Sequence, residues 1–354
     1  MSASPVRCAR PWSTLLLQPK AAGPECACHK IVLGERRVPI ADVWNGPQMV
    51  RLREDFLAHK TPGVCAACAH FASGTGFHAR LSCLVGSERQ KKNLEQNRAE
   101  FLAGSTILES LPLCLSLDLS YSCNFRCVLC SLRLQADALP PREVAEAFGE
   151  YSATALHLHV SGGEPLLSRD FQRYIEQATN LPGALSITTN GSRLDAAVLE
   201  QFERFPRVNL HISVDTFDPL LFGRLREGGE LSAILDAVEL AVRFKHRVNS
   251  RCGEARWYIA LNLLPTALNV EEMPTFLRRA AELDVDGVDI CAIDGDHPEH
   301  DFMRYPDLIA HLDARSLATA IRRTTDELPA LEVGGLEPVV RLLESIVPIR
   351  EVNA

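Results

Sequence analysis

Residues 113–130 read LCLSLDLSYSCNFRCVLC. Leu113, Leu115, Leu117 and Leu119 alternate with Cys114, Ser116, Asp118 and Ser120, the period-2 pattern of a strand with one buried face. That strand runs straight into Cys123-Asn124-Phe125-Arg126-Cys127-Val128-Leu129-Cys130, a CxxxCxxC spacing. Three thiolates on one short loop suit three irons of a cubane cluster and leave its fourth iron open to a small molecule. A zinc loop and buried structural cysteines are the competing readings of the spacing alone.

Downstream, the same kind of strand recurs at Leu156–Ser161, Ala184–Thr189, Val208–Val214, Trp257–Leu264 and Val288–Ile293. Helical stretches lie between them at Arg169–Ala178, Asp195–Phe205, Leu231–Phe244 and Val270–Leu283. The last is expected to open with Asn269 and Glu272 as a capping box. Alternating strands and helices predict parallel βαβ units. Six of them, with polar inner faces, predict a partial (β/α)6 barrel of the TIM type, with its site at the C-terminal strand ends. Those ends carry Ser161-Gly162-Gly163-Glu164-Pro165, then Thr188-Thr189-Asn190-Gly191, then Ser213-Val214-Asp215. Two glycines admit a ligand against the backbone, and Glu164 offers a carboxylate to an ammonium group.

The 354 residues are 46% hydrophobic and 23% charged, with a formal net charge of −8, values of an ordinary globular chain that disfavour nonspecific binding to nucleic acid or an anionic membrane. No run of 18 apolar residues occurs and the N-terminus lacks a signal-peptide pattern, so the expectation is a cytoplasmic protein. In that compartment the 12 cysteines read as metal ligands rather than disulfides.

In this order, CNFRCVLC, SGGEP, TTNG and the SVD strand closely resemble the radical S-adenosylmethionine (SAM) superfamily over roughly residues 111–300. The resemblance implies that Cys123, Cys127 and Cys130 bind a 4Fe–4S cluster whose open iron chelates SAM. It further implies that Gly162, Gly163 and Glu164 line the methionine amino group, that Ser213 and Asp215 lie near the ribose, and that Asn190 belongs to the third-strand motif. Phe125 falls at the aromatic position near the adenine. The resemblance also implies that Arg224 partners the methionine carboxylate; the alternative is a solvated helix-face arginine. One electron from such a cluster cleaves SAM to a 5′-deoxyadenosyl radical, which abstracts hydrogen from substrate.

Residues 1–84 form a cysteine-rich segment, with 85–112 as a polar helical connector and 113–354 as the barrel. The segment contains Cys8-Ala9-Arg10-Pro11-Trp12, Gly23-x4-Cys28, Val43-Trp44-Asn45-Gly46 and Cys65-Ala66-Ala67-Cys68. Apolar residues look sparse there, which predicts a metal staple. The pattern resembles the auxiliary-cluster modules called SPASM and twitch domains, although in those relatives the module follows the barrel. The resemblance implies a second 4Fe–4S cluster on Cys8, Cys28, Cys65 and Cys68, with Cys26 and Cys83 as substitutes; four thiolates also suit zinc.

Strand alternation puts His157, His159, Asn209, His211, Asn262 and Cys291 on polar faces, where they bond one another or meet substrate. Cys291 is the candidate hydrogen-atom donor, set against a small buried core cysteine. Asp294, Asp296, His297 and Asp301 follow the sixth strand and read as bases or as an acidic surface loop. The expected function is oxidative modification or cross-linking of a peptide or protein, with flavodoxin or ferredoxin as electron donor. The alternatives are a dehydrogenase of a small sugar-like or cyclitol substrate, and an iron–sulfur or zinc scaffold without turnover.

Overall fold

The computed structural model describes residues 8–19, 40–60, 74–128, 130, 138–139, 141–266, 268–290, 313–337 and 340. Eight strands follow chain order in one sheet: β1 (Thr14–Leu17), β2 (Cys114–Asp118), β3 (His157–Ser161), β4 (Ala184–Thr189), β5 (Arg207–Ser213), β6 (Trp257–Leu263), β7 (Gly287–Ile290) and β8 (Glu332–Gly334). Helices α1 (Arg10–Ser13), α2 (Ile40–Trp44), α3 (Pro47–Leu57), α4 (Gly74–Ser82) and α5 (Glu88–Ala103) precede β2. Helices α6 (Pro141–Glu146), α7 (Arg169–Gln177), α8 (Ala196–Phe202), α9 (Pro219–Leu225), α10 (Leu231–Cys252), α11 (Met273–Glu282) and α12 (Ala314–Glu327) alternate with the later strands. This is the expected parallel α/β architecture of the partial TIM type, with an additional strand at each edge.

The two added strands escaped the sequence pattern for opposite reasons. Thr14–Leu17 is buried at every position and so has no alternation, while Glu332–Gly334 has only three residues, two of them exposed. Helix α10 runs to Cys252, past the expected end at Phe244, because Val248 stays buried and the stop is Gly253 at φ 69°. The capping box at α11 is corrected as well. Asn269 makes no cap; its Nδ2 donates to the backbone oxygens of Asp215 (2.9 Å) and Leu264 (3.0 Å). Glu272 instead accepts from Thr216 Oγ1 at 2.6 Å.

The chain divides into two compact units. The first comprises residues 1–123, 135–187 and 200–208. Its parallel register aligns Thr14, Cys114, His157 and Ala184 in one row, and Leu16, Ser116, His159 and Ser186 in another. The opposite face carries Leu115, Leu117, Leu158, Val160, Leu185 and Ile187, all fully buried. Apolar packing in the described N-terminal part of this unit is denser than the sequence suggested: Trp12, Trp44, Met49, Leu52 and Phe56 are buried. At its centre Arg53, fully buried, donates to the carbonyls of Pro11 (2.9 Å), Thr106 (2.8 Å) and Trp44 (2.8 Å) and to Asn45 Oδ1 (3.1 Å). Burial pulls its pKa down and the Glu100 charge opposes that. The indoles of Trp12 and Trp44 donate to the carbonyls of Ser105 and Ser110, each at 2.7 Å.

The second unit comprises residues 124–134, 188–199 and 209–354. Its register sets Ala260, Gly287 and Glu332 in one row and Asn262, Asp289 and Gly334 in the next. Helix α10 supports β6, with Phe244 against Trp257 at 4.9 Å between ring centres.

Candidate cofactor site

The cysteine loop is held by backbone on both sides of Cys127. Arg126 N–H donates to Glu227 O (2.8 Å) and Val128 N–H to Leu225 O (2.9 Å), tying the loop to the end of α9. Asn190 Nδ2 donates to Asn124 Oδ1 (3.0 Å), Asn124 Nδ2 donates to Ser192 Oγ (2.9 Å), and Ser192 N–H returns to Asn190 Oδ1 (2.9 Å). Asn190 thus braces the residue that follows Cys123. Phe125 is buried rather than solvent-facing, and a Cβ on Gly229 would come within 2.7 Å of its ring. Cys123 is exposed, Cys127 and Cys130 are half-buried, and none of the three is in a disulfide.

In the first unit, Gly162 (φ 117°) and Gly163 turn the chain after β3 beneath the residues leading to the cysteines. Gly163 N–H donates to Ser120 O (2.7 Å) and Glu164 N–H to Ser122 O (2.9 Å). A Cβ at Gly163 would sit 2.1 Å from Ser122 O, so only glycine fits. Glu164 is buried, and its Oε1 accepts the Leu166 N–H at 3.0 Å.

At the end of β5, Ser213 is half-buried, and Asp215 is buried in the left-handed region at φ 65°. Asp215 Oδ1 accepts the Leu264 N–H at 2.8 Å, and Oδ2 is ion-paired with Arg226 Nη2 at 2.7 Å. Arg226 is the residue that the sequence reading missed. Arg224 is exposed on the last turn of α9, whereas Arg226, just beyond the helix, turns inward and brings Nη1 to 3.9 Å from Cys127 Sγ. Nothing in the Arg224-Leu225-Arg226-Glu227-Gly228-Gly229 string distinguishes the two arginines without knowing where α9 stops.

The polar strand faces are largely satisfied internally. Ser116 Oγ lies 3.1 Å from His159 Nδ1, His157 Nε2 lies 2.7 Å from Ser186 Oγ, and Ser161 Oγ donates to Asp118. In the second unit His211 Nδ1 pairs with Asp289 Oδ2 at 2.7 Å. Asn209 and Asn262 are half-buried on β5 and β6. Of the N-terminal cysteines, Cys8 is buried and Cys83 is exposed, its Sγ donating to Arg80 O at 3.1 Å. Cys26, Cys28, Cys65, Cys68, Cys291, Asp294, Asp296, His297 and Asp301 lie outside the described residues. Among the described residues no three His, Cys, Asp or Glu side chains converge as a single metal ion would require. Also among them, no helix is long and apolar enough to cross a membrane.

Comparison with known proteins assigns this region: the model of the Radical SAM superfamily matches residues 117–253. These residues are a radical SAM superfamily domain. The radical SAM domain contains Cys123, Cys127, Cys130, Phe125, Gly162, Gly163, Glu164, Asn190, Ser213, Asp215, Arg224 and Arg226. Cys8, Cys28, Cys65, Cys68 and Cys291 fall outside it. Among curated proteins, a GTP 3′,8-cyclase of Aeromonas hydrophila is 32% identical over 146 residues, 36% of this chain and 41% of that protein. One of Haemophilus influenzae is 30% identical over 150 residues, 38% and 44% of the two chains. The match therefore spans less than half of these relatives. Among solved structures, Streptococcus suis SuiB bound to S-adenosylmethionine superposes with a TM-score of 0.51 at 17% identity, covering 90% of this chain and 71% of that one. That likeness is one of fold.

The donor set fits the cofactors that the family implies. Three cysteines, none of them in a disulfide, sit on a loop fixed by backbone hydrogen bonds, and a two-glycine turn with a buried carboxylate follows the next strand.

Proposed function

We propose that Cys123, Cys127 and Cys130 hold a 4Fe–4S cluster and that Gly162, Gly163, Glu164, Asn190 and Ser213 form the SAM pocket, for hydrogen abstraction from a substrate. The observation that carries this reading is the clamp on the cysteine loop, with Arg126 and Val128 bonded to the α9 terminus and Asn124 to Asn190. Bound there, cluster and SAM supply one electron and a 5′-deoxyadenosyl radical. The chain's own part is positioning: Glu164 offers a carboxylate to the methionine ammonium, and Ser213 offers a hydroxyl to the ribose. Asp215 shares its two oxygens between Leu264 and Arg226, so any ribose contact it makes is additional to these. Phe125 and Arg224 are the proposed adenine and carboxylate partners, the first from a buried and the second from an exposed position.

For substrate, the first reading is oxidative modification or cross-linking of a peptide or protein, with a flavodoxin or ferredoxin as donor. It includes a second 4Fe–4S cluster on Cys8, Cys28, Cys65 and Cys68 that accepts the second electron. The second reading is a small hydroxylated or nucleotide substrate. It is favoured by the imidazole-rich strand faces (His157, His159, His211 with Asp289) and by the GTP 3′,8-cyclase relatives. The test is anaerobic release of 5′-deoxyadenosine from reconstituted, reduced protein, followed by deuterium transfer into it from labelled peptides or labelled GTP. Transfer from peptide supports the first reading and transfer from GTP the second. No release with either dithionite or flavodoxin would leave a scaffold without turnover.

A further inference from the structure

We propose that Arg226 is a positioning residue that raises the reduction potential of the cluster held by the cysteine loop, with Asp215 as the group that aims it. The inference rests on the reading that Cys127 is a cluster ligand. Four observations in the second unit carry it. Arg226 Nη1 stands 3.9 Å from Cys127 Sγ, within reach of a charge-assisted hydrogen bond to sulfur. Its Nη2 is paired with Asp215 at 2.7 Å, and the two side chains are only 11% and 7% exposed, so solvent screens the cation weakly. Asp215 is itself held in place: its Oδ1 accepts from Leu264 N–H, its carbonyl accepts from Asn269 Nδ2, and its backbone sits at φ 65°. Finally, the residues flanking Cys127 are bonded to the residues flanking Arg226, at Arg126 to Glu227 and Val128 to Leu225. That pair of bonds fixes the backbone of the two segments against each other.

The physical consequence follows from charge. Reduction adds one electron to the cluster and forms or breaks no bond. The reduced state carries one more negative charge, and a fixed guanidinium beside a ligand sulfur stabilises it more than the oxidised state. Hydrogen bonds and charge at cluster sulfurs are established levers on potential. Asp215 partly offsets the cation, but it pairs with Nη2, whereas Nη1 is the nitrogen that reaches Cys127 Sγ.

The experiment is an EPR-monitored redox titration of the anaerobically reconstituted full chain, with dithionite as the one-electron donor and iron content measured on every sample. In R226M the midpoint is expected to fall, so that at a fixed potential near the wild-type midpoint the ratio of reduced to oxidised cluster drops about tenfold. R226K, which keeps the charge and loses the fork, is expected to fall between the two. In D215N the cation loses its counter-charge, and the midpoint is expected to rise. Loaded R226M and R226K with the wild-type midpoint would overturn the proposal. If R226M does not take up iron, R226K and D215N decide: shifts in opposite directions support the role, and equal or absent shifts overturn it. A wild-type chain that binds no iron would overturn the cluster reading itself, a different result from an unmoved midpoint in loaded protein.

Discussion

At Glu164 one carboxylate oxygen already accepts the Leu166 N–H at 3.0 Å, while the same group is the proposed partner of an ammonium. The two roles separate by substitution. Glu164→Gln keeps an oxygen for Leu166 and removes the charge, so the fold should persist. A charge-assisted bond is worth roughly 1.5–3 kcal/mol, so SAM affinity should drop about tenfold to a hundredfold. Calorimetry on reconstituted protein measures this, and unchanged affinity would remove Glu164 from the pocket. Thiol reactivity is a second residue-scale outcome. Burial pushes the Cys114 thiol up to about 12, against the opposing effects of Arg10 and Thr14. A hydrogen bond from Arg256, with Nη1 at 3.3 Å, pulls the exposed Cys252 thiol down. The thiolate is the reactive form, so iodoacetamide at pH 7 should label Cys252 and spare Cys114. Raising the pH to 9 should accelerate Cys252 less than an ordinary thiol, since more of it is already ionised. Peptide mass mapping reads both sites, and labelling of Cys114 at the Cys252 rate in folded protein would contradict the assignment. Residue identity made the cysteine triad and the Gly162–Glu164 turn legible in the sequence. It did not make Arg226 legible, because the choice between Arg224 and Arg226 is made by the helix end between them.

Elements were legible where periodicity was strong. The central strands β3–β6 begin and end within one residue of their expected positions, because each alternates or lies between clear helical stretches. Legibility failed where burial was uniform, as in β1, and where a side chain had a better partner than its local one, as at Asn269. The N-terminal elements depend on one side chain more than composition suggested. Arg53→Met leaves the carbonyls of Pro11, Trp44 and Thr106 buried without their donor. At about 1–3 kcal/mol for each orphaned group, the loss should reach about 3 kcal/mol or more. Urea denaturation should show a lower midpoint at unchanged slope. Arg53→Lys should recover only part of it, because a single ammonium cannot span the same acceptors. A stability loss below about 1 kcal/mol for Met would mean that water replaces the guanidinium.

For the whole molecule the decisive quantity is iron. With both proposed clusters present, reconstituted protein should hold about eight irons per chain. Replacing Cys123, Cys127 and Cys130 by Ala should leave about four and abolish 5′-deoxyadenosine release. Replacing Cys8, Cys28, Cys65 and Cys68 should also leave about four, with slow SAM cleavage retained. Zinc in place of iron in the first variant would remove the auxiliary cluster from the proposal and leave the radical SAM domain untouched. One further consequence belongs to the chain as it is made. Strand β1 pairs with β2 in a register that joins Thr14 to Cys114, positions one hundred residues apart. On the ribosome, Thr14-Leu15-Leu16-Leu17 therefore emerges long before its partner. At about 5–20 residues per second, it waits roughly 5–20 s as an unpaired, leucine-rich strand. Nascent chains stalled between those two points should be bound by hydrophobic-segment chaperones, and should let go once the cysteine-bearing strand has cleared the exit tunnel.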